Sequence, residues 1–387
     1  MDLARIQEAL RREKLDGWLF FDHHQRDLLA YRVLGLDPHR HVTRRWYYLI
    51  PAEGEPRGIV HRIESGVIGS LPGEKLQYSS WQEQHACLAQ ILKGVKRVAM
   101  QYSPRCAVPY VAMVDAGTVE LVRDQGVEVA SSAELIQEFE ACLSQTQFAT
   151  HVEAGKIVDR VRAEAFHFIG GKPVGEVDEL TVRDWILDQF RRAGLITENG
   201  PIVGVNAHAG DPHYEPRPET NAAIRPGDLV LLDMWAKFDK PGSVFYDITW
   251  TGFRGDPPDR IRTVFEIVRD ARDAAIQAVA EAVSKGREIR GFEVDDAARA
   301  HIQSKGFGER FVHRTGHSIG EEVHGTGANM DNLETHDDRR ILPGALFSVE
   351  PGIYLPEFGI RSEVNVFVSA KEAVVTGEVQ RDLVTIR

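Results

Sequence analysis

HRTGHSIGEEVH (residues 313–324) and FSVEPGIY (347–354) are the two stretches on which the reading of this chain turns. Gly316 and Gly320 flank His317, so backbone can approach that imidazole closely, and Glu350 closes an apolar, strand-like run just before Pro351. Working outward, three further segments have the same form: LVLLD (229–233), FYDITWT (245–251) and GIRSEVNV (359–366). They set Asp233, Asp247 and Glu363 on strand-like text, and strands are rigid backbones from which acids can converge. Four carboxylates and an imidazole form a hard, oxygen-rich donor set, suited to Mn²⁺, Co²⁺ or Zn²⁺ and unsuited to copper or an iron–sulfur cluster. Two such ions ~3.5–4 Å apart, bridged by carboxylates and a hydroxide, would neutralise the cluster and supply a nucleophile at neutral pH. Taken singly, each residue has an ordinary explanation: an Asp closing a strand is commonly a turn residue or a cap, and a Glu before Pro-Gly commonly opens a turn. Their joint order and wording carry the signal.

The rest of the sequence sets the frame. With 387 residues, 43% hydrophobic and 27% charged, the chain has the composition of a globular protein of two or three domains. The net charge of -12 disfavours nucleic acid or an anionic membrane as the main partner. Residues 1–140 hold 17 basic and 19 acidic side chains, which leaves 29 and 39 to residues 141–387; the acidic excess therefore lies in the second part. Cys87, Cys106 and Cys142 are odd in number and lack CxxC spacing, against a disulfide framework or a thiolate zinc site. The opening text MDLARIQEALRREKLDGWLF reads as an amphipathic helix running into a strand, and no run of ~18 apolar residues occurs. The expectation is a soluble, cytoplasmic protein.

Strand-like text at 18–21, 46–51, 57–61, 98–102 and 127–131, with helical text at 3–10, 82–92 and 133–138, predicts an α/β domain ending near residue 140. A helical stretch over 139–168 follows as a connection. Beyond it the pattern predicts helices at 180–193, 259–285 and 294–305, and strands at 228–232, 346–349, 353–355 and 364–368. The expected organisation is an N-terminal domain 1–140, a helical linker 141–175 and a catalytic domain 176–387. Neither GxGxxG, GxxxxGK[ST] nor GxSxG occurs, against nucleotide binding and a serine hydrolase.

The series LLD, DITxT, HxTGHxIGxxVH, EPGIY, GIRxE resembles the pita-bread metallopeptidases, the family of methionine aminopeptidase, aminopeptidase P and prolidase. The resemblance runs from about Val177 to the end. The preceding α/β segment is similar to the N-terminal domain of aminopeptidase P, prolidase and creatinase, which points to the proline-specific branch. The implied fold is an α/β N-terminal domain plus an α+β pita-bread, creatinase/aminopeptidase-like catalytic domain.

By that resemblance Asp233 chelates one metal, His317 and Glu350 hold the other, and Asp247 and Glu363 bridge both; Mn²⁺ is the implied ion, with Co²⁺ or Zn²⁺ as alternatives. His213, in the loop PHYEP, matches a substrate-facing histidine, and His324 one placed near the scissile carbonyl; either imidazole would stabilise the tetrahedral intermediate. His313 matches a supporting histidine, and Arg361 an arginine that orients an aspartate ligand. The implied reaction is hydrolysis of an Xaa-Pro bond by a metal-bridging hydroxide, with Glu350 moving the proton. The substrate is a short proline-containing peptide, and the enzyme is an aminopeptidase or a dipeptidase. Neither nucleic acid nor membrane is an expected partner, and a homodimer is. For a dipeptidase, Arg217, Arg339 or Arg340 would take the substrate carboxylate.

Two other readings stay open: a metal-free, creatinase-like C–N hydrolase, and a non-catalytic binding protein on the same fold. The chain also departs from common family text. Trp235 and Trp250 replace a Gly and an Arg, Ser318 stands where Gly is common, Val364 replaces an acid, and residues 237–243 lengthen a hairpin tip.

Overall fold

The computed structural model describes all residues 1–387, which divide into two compact units, Met1–Glu140 and Ala141–Arg387. The first is built on one sheet: β1 (Gly17–Asp22), β2 (Trp46–Pro51), β3 (Arg57–His61), β4 (Glu74–Tyr78), β5 (Arg97–Met100) and β6 (Glu128–Ser131) lie in the order β4-β3-β2-β1-β5-β6. Because successive side chains of a strand point to opposite faces, WLFF on β1 feeds two cores. Trp18 and Phe20 join Trp46, Tyr48 and Ile50 on one face, while Leu19 and Phe21 join Tyr47 and Leu49 on the other. Helices cover both faces, which is why β1 is buried throughout. α1 (Leu3–Arg12) and α2 (Leu28–Leu34) pack on the first face, and α3 (Trp81–Ile91) and α4 (Ala116–Arg123) on the second. The short α5 (Ala133–Ile136) ends the unit.

The second unit opens with α6 (Gln145–Gly170), started by a Ser144–Gln147 capping box, and α7 (Glu179–Arg192). The stretch anticipated as a linker is helical, and its buried face, Ala154, Val158, Val161, Ala165 and Ile169, belongs to this unit's core. Two short strands, β7 (Leu195–Ile196) and β8 (Ile202–Val205), precede a long antiparallel ribbon of β9 (Leu229–Phe238) and β10 (Tyr246–Arg254). α8 (Asp259–Ser284) and α9 (Gly291–Ser304) follow. The chain closes with β11 (Leu346–Val349), β12 (Gly352–Tyr354), β13 (Gly359–Arg361), β14 (Val364–Val368), β15 (Ala373–Thr376) and β16 (Val384–Ile386). The sheets run β16-β10-β9-β7 with β8 also on β9, β11-β14-β15, and β12-β13.

Alternation on the ribbon decides where the chemistry goes. Val230, Leu232, Met234, Ile248 and Trp250 face α6 and α7, whereas Leu229, Leu231 and Phe253 face α8, α9 and the C-terminal strands. Asp233, Trp235, Asp247 and Thr249 share the second face, with Asp233 opposite Thr249 and Asp247 opposite Trp235. Trp250, on the far side, lies 3.4 Å under the Arg162 guanidinium of α6 and is a packing residue. None of the helices is long and apolar enough to cross a membrane.

Candidate metal centre

Four chain segments converge on the acid-bearing face of the ribbon. Segment 315–319 pairs alongside β11: Ser348 N–H donates to His317 O (2.8 Å), Glu350 N–H to Thr315 O (2.7 Å) and Ile319 N–H to Leu346 O (2.8 Å). This pairing brings His317 beside Glu350. It requires Gly316, where a Cβ would sit 1.9 Å from Ser348 O. Gly320 meets open space instead, so only one of the two flanking glycines is there for close approach. Buried Asp295 on α9 anchors the segment by accepting from Thr315 N (2.9 Å) and Thr315 Oγ1 (2.7 Å). Glu363 is placed by its own N–H, which donates to Thr249 O (3.0 Å).

The result is a buried cluster. Ligand atoms of Asp247, His317 and Glu363 all lie within 4.8 Å of one another. His317 Nε2 is 3.5 Å from Asp247 Oδ2 and 3.4 Å from Glu350 Oε1. Its Nδ1 faces Ser318 O at 3.1 Å; a carbonyl only accepts, so Nδ1 carries the proton and Nε2 offers a lone pair to the cluster. Asp233 joins through Arg361, whose Nη2 donates to Asp233 Oδ2.

The partners of these groups are side chains that the sequence did not single out. Thr249 Oγ1 donates to Glu363 Oε2 (2.9 Å) and accepts from Arg361 Nε (2.9 Å). Ser348 Oγ accepts from His317 N (2.9 Å) and donates to Glu350 Oε1 (3.0 Å). Asn365 clamps the backbone of Asp247, accepting its N–H at 3.0 Å and donating to its carbonyl. Tyr354 Oη accepts from Arg361 Nη1 (3.1 Å) and lies 2.7 Å from His313 Nε2. His313 Nδ1 faces Arg314 O at 2.7 Å, so both its nitrogens serve the scaffold. Tyr354 stood in the quoted EPGIY; a buried phenol on a three-residue strand was the available signal.

Electrostatics match a cation site. Burial drives the Asp247 carboxyl well above its usual value, with Glu350 adding and Arg361 opposing. Burial likewise drives Glu363 up, reinforced by Asp247, Glu350 and Asp233. Asp233 is raised mainly by burial, against the pull of Arg361. Burial also acts upward on Glu350, but His317, His313, Arg361 and Arg314 outweigh it and hold that carboxyl below its usual value. Asp247 Oδ1 and Glu363 Oε1 are buried with no hydrogen-bond partner. Such orphaned oxygens are costly in a folded protein, and a divalent ion is the partner that fits two of them beside an imidazole.

His324 lies against His317, ring centroids 4.5 Å apart. Burial against the site, then His317 and Arg314, lower its imidazole. Its outer surface is open to solvent. His213 is exposed, its N–H donating to Asp211 Oδ1 (3.0 Å), and its charge bears on His324. Its loop is held from below by buried Glu179, which accepts from Val205 N, His208 Nδ1 and Tyr214 Oη, each at 2.8 Å. Pro212 O accepts from Arg361 Nη1 at 3.3 Å. Trp235, on the ribbon's acid face, donates its indole N–H to Glu198 O at 2.9 Å.

Of the three arginines considered for a substrate carboxylate, Arg339 needs correcting. Arg339 is buried, bound to Asp337 (2.6 Å) and Thr326 O (2.7 Å), and has no reach to a substrate. Arg217 is exposed and paired with Glu215 at 3.0 Å, and Arg340 bridges its backbone to Arg290. The cation whose charge acts on His317, His324 and Glu350 is Arg314, which the sequence reading passed over.

A carboxylate-rich, imidazole-containing centre on a pita-bread fold defines a metal-dependent hydrolase. The model of metallopeptidase family M24 matches residues 149–370; the chain belongs to that family and is a peptidase. A probable dipeptidase, PepE, of Mycobacterium tuberculosis is 25% identical over 345 residues, covering 87% of this chain and 84% of that protein. An Xaa-Pro dipeptidase of Lactobacillus delbrueckii subsp. lactis is 36% identical over 176 residues, 45% of this chain and 44% of that one. Among solved structures, dipeptidase PepE from Mycobacterium ulcerans superposes with a TM-score of 0.71 at 22% identity over 99% of this chain and 96% of that chain. A prolidase from Thermococcus sibiricus gives a TM-score of 0.63 at 25% identity over 100% and 99%.

Proposed function

We propose that this chain is a dinuclear metallopeptidase that hydrolyses Xaa-Pro bonds in short peptides, with dipeptides as the preferred length. The observation that carries the metal part is the pair of orphaned buried oxygens, Asp247 Oδ1 and Glu363 Oε1, beside His317 Nε2. Asp247 and Glu363 would bridge two ions, with Asp233 completing one site and His317 and Glu350 the other. Bound there, divalent ions, Mn²⁺ in this reading, supply Lewis acidity toward the scissile carbonyl and a nucleophile at neutral pH. The orphaned oxygens also weigh against the metal-free reading.

The chain's own residues do the rest. Arg361 fixes Asp233 and, through Thr249, orients Glu363, so the acids are aimed before substrate arrives. Glu350, kept ionised by its cationic neighbours, is the proton acceptor and returns the proton to the leaving imino nitrogen. His324, neutral over the working range, donates a hydrogen bond to the carbonyl oxygen as it gains charge, with His213 closing the pocket from its loop. A proline nitrogen in an Xaa-Pro bond has no N–H, so recognition rests on ring shape and on the free termini. Arg314 supports the dipeptide length, as a cation whose charge acts on His317 and Glu350. The names of the similar dipeptidases support it too.

Chelator-stripped protein resupplied with Mn²⁺ and given Ala-Pro, Ala-Pro-Ala and Ala-Leu tests the reading. Ala-Pro should be cleaved only with metal, and Ala-Pro-Ala much more slowly. Cleavage of Ala-Leu alone would sink the proline assignment, and activity in the stripped protein would sink the metal. A homodimer in the cytoplasm belongs to the same reading, and light scattering checks the stoichiometry.

A further inference from the structure

The N-terminal unit contains a cavity of about 580 Å³, within the ~300–1,000 Å³ typical of small-molecule sites. Its wall is made by strand ends (Phe21, His61, Tyr78), the start of α3 at Trp81, and Asp115 with Thr118 at the start of α4. Three guanidiniums, Arg26, Arg44 and Arg45, face it with His23 and His61, against one carboxylate, Asp115. That carboxylate is already engaged: it accepts from Thr118 N and Thr118 Oγ1, both at 2.9 Å, and stands 3.8 Å from Arg26.

Nearby acids are occupied as well. Glu83 accepts from Ser79 N (2.7 Å) and Ser80 N (3.1 Å), and Glu64 from Thr43 and the Arg44 N–H. Arg45 has no carboxylate partner; its neighbours are the phenols Tyr47 and Tyr78. Tyr78 Oη donates to the Arg45 backbone carbonyl at 2.8 Å. The Tyr47 hydroxyl, fully buried, has no hydrogen-bond partner. Three like charges around one hollow repel, and an anion inside it would offset that repulsion. Trp81 stands at the rim 62% exposed, an apolar surface suited to a planar group.

We propose that this cavity binds a small organic anion, its oxyanion head, carboxylate or phosphate, held by Arg44 and Arg45, and its planar body laid against Trp81. Bidentate guanidinium–oxyanion bonds supply the affinity, and stacking supplies selection for a ring.

The experiment is calorimetric titration of the full-chain protein with benzoate, AMP and inorganic phosphate, with tryptophan fluorescence in parallel. Saturable one-to-one binding of benzoate or AMP is expected, with inorganic phosphate at least about tenfold weaker; which of the two ring ligands binds tells carboxylate from phosphate. Arg45→Gln should weaken binding about tenfold or more, and Trp81→Ala should weaken the ring ligands and leave phosphate unchanged. Arg44→Gln, at an exposed position, is the second variant should Arg45→Gln lower the thermal midpoint. Failure of all three probes to bind overturns the proposal, as does binding that survives both arginine substitutions. Binding lost in Asp247→Asn also overturns it, since the anion would then belong to the carboxylate-rich centre.

Discussion

Removing one hydroxyl, in Thr249→Val, tests whether the acids of the centre are aimed by their neighbours. Thr249 is fully buried, and valine has nearly its shape, so the change is chemical rather than steric. Its Oγ1 carries two bonds of 2.9 Å, one given to Glu363 and one received from Arg361. Both partners are chargeable, and such hydrogen bonds are worth about 1.5–3 kcal/mol each. Glu363 Oε1 already lacks a partner, so the variant leaves this carboxylate with no side chain holding it in place. One such bond converts to a loss of about 10–100-fold in metal affinity, the usual scale for removing a group that orients a ligand. The assay is calorimetric titration of Mn²⁺ into chelator-stripped wild type, Thr249→Val and Thr249→Ser, with kcat/KM on the best substrate. Ser keeps the hydroxyl and should stay within about threefold of wild type, a change below ~1 kcal/mol. If Val binds the same number of ions within about twofold of wild type, the orienting role is refuted.

Three other outcomes follow from the packing. Gly316→Ala forces a Cβ to 1.9 Å from Ser348 O, so the pairing that holds His317 to Glu350 should part, with a loss of about 3 kcal/mol or more in urea unfolding; Gly320→Ala, into open space, is the control. Arg339→Met leaves Asp337 buried without its guanidinium and should cost about 3–5 kcal/mol; a raised KM at unchanged stability would instead return Arg339 to the substrate pocket. His151, fully buried between Phe245 O (2.6 Å) and Thr376 Oγ1 (2.7 Å), is pushed by burial from 6.5 to about 4. The unfolded chain therefore takes up a proton below pH ~6.5 that the folded chain refuses until about 4, so stability falls as pH drops through that window, by about 3 kcal/mol at its acid end. His151→Gln should flatten this slope, and an equal slope in the variant would disprove the assignment.

What could be read in the sequence were residues whose chemistry is local to a motif. His317 and Glu350 sit in glycine- and proline-marked text, and Asp233, Asp247 and Glu363 each sit on or beside an apolar strand; all five lie at or beside the cluster. What could not be read depends on register between distant strands. Thr249 reaches Glu363, Asn365 reaches Asp247 and Arg361 reaches Asp233, each more than a hundred positions away, and no local pattern shows which β10 residue lies beside β14. Arg339 misled for a different reason: its partner Asp337 is close in sequence, but its burial is set by the fold. In the first unit β4, EKLQY, escaped notice because an edge strand with exposed charges lacks an apolar run. α2 and α4 are short and start from aspartate caps on loops, and α6 looked like a connector because its apolar stripe is narrow among charges.

The alternation on β9 and β10 also has a consequence for how this protein can change over generations. Residues 239–242 form the outer part of the turn between the two strands and contribute none of the five acids and imidazoles of the centre, whereas Ser243, Val244 and Phe245 just after them are buried. Lengthening or recoding that tip leaves both ribbon faces as they are, provided the strand pairing holds, so it is a natural place for lineage-specific insertions and for grafted tags. A one-residue slip within either strand is a different event: it would turn Met234 or Ile248 toward the acids and send Asp233 or Asp247 against α6. Variation should therefore accumulate at the tip and stop abruptly at Phe238 and at buried Ser243, a boundary visible in any set of sequenced relatives.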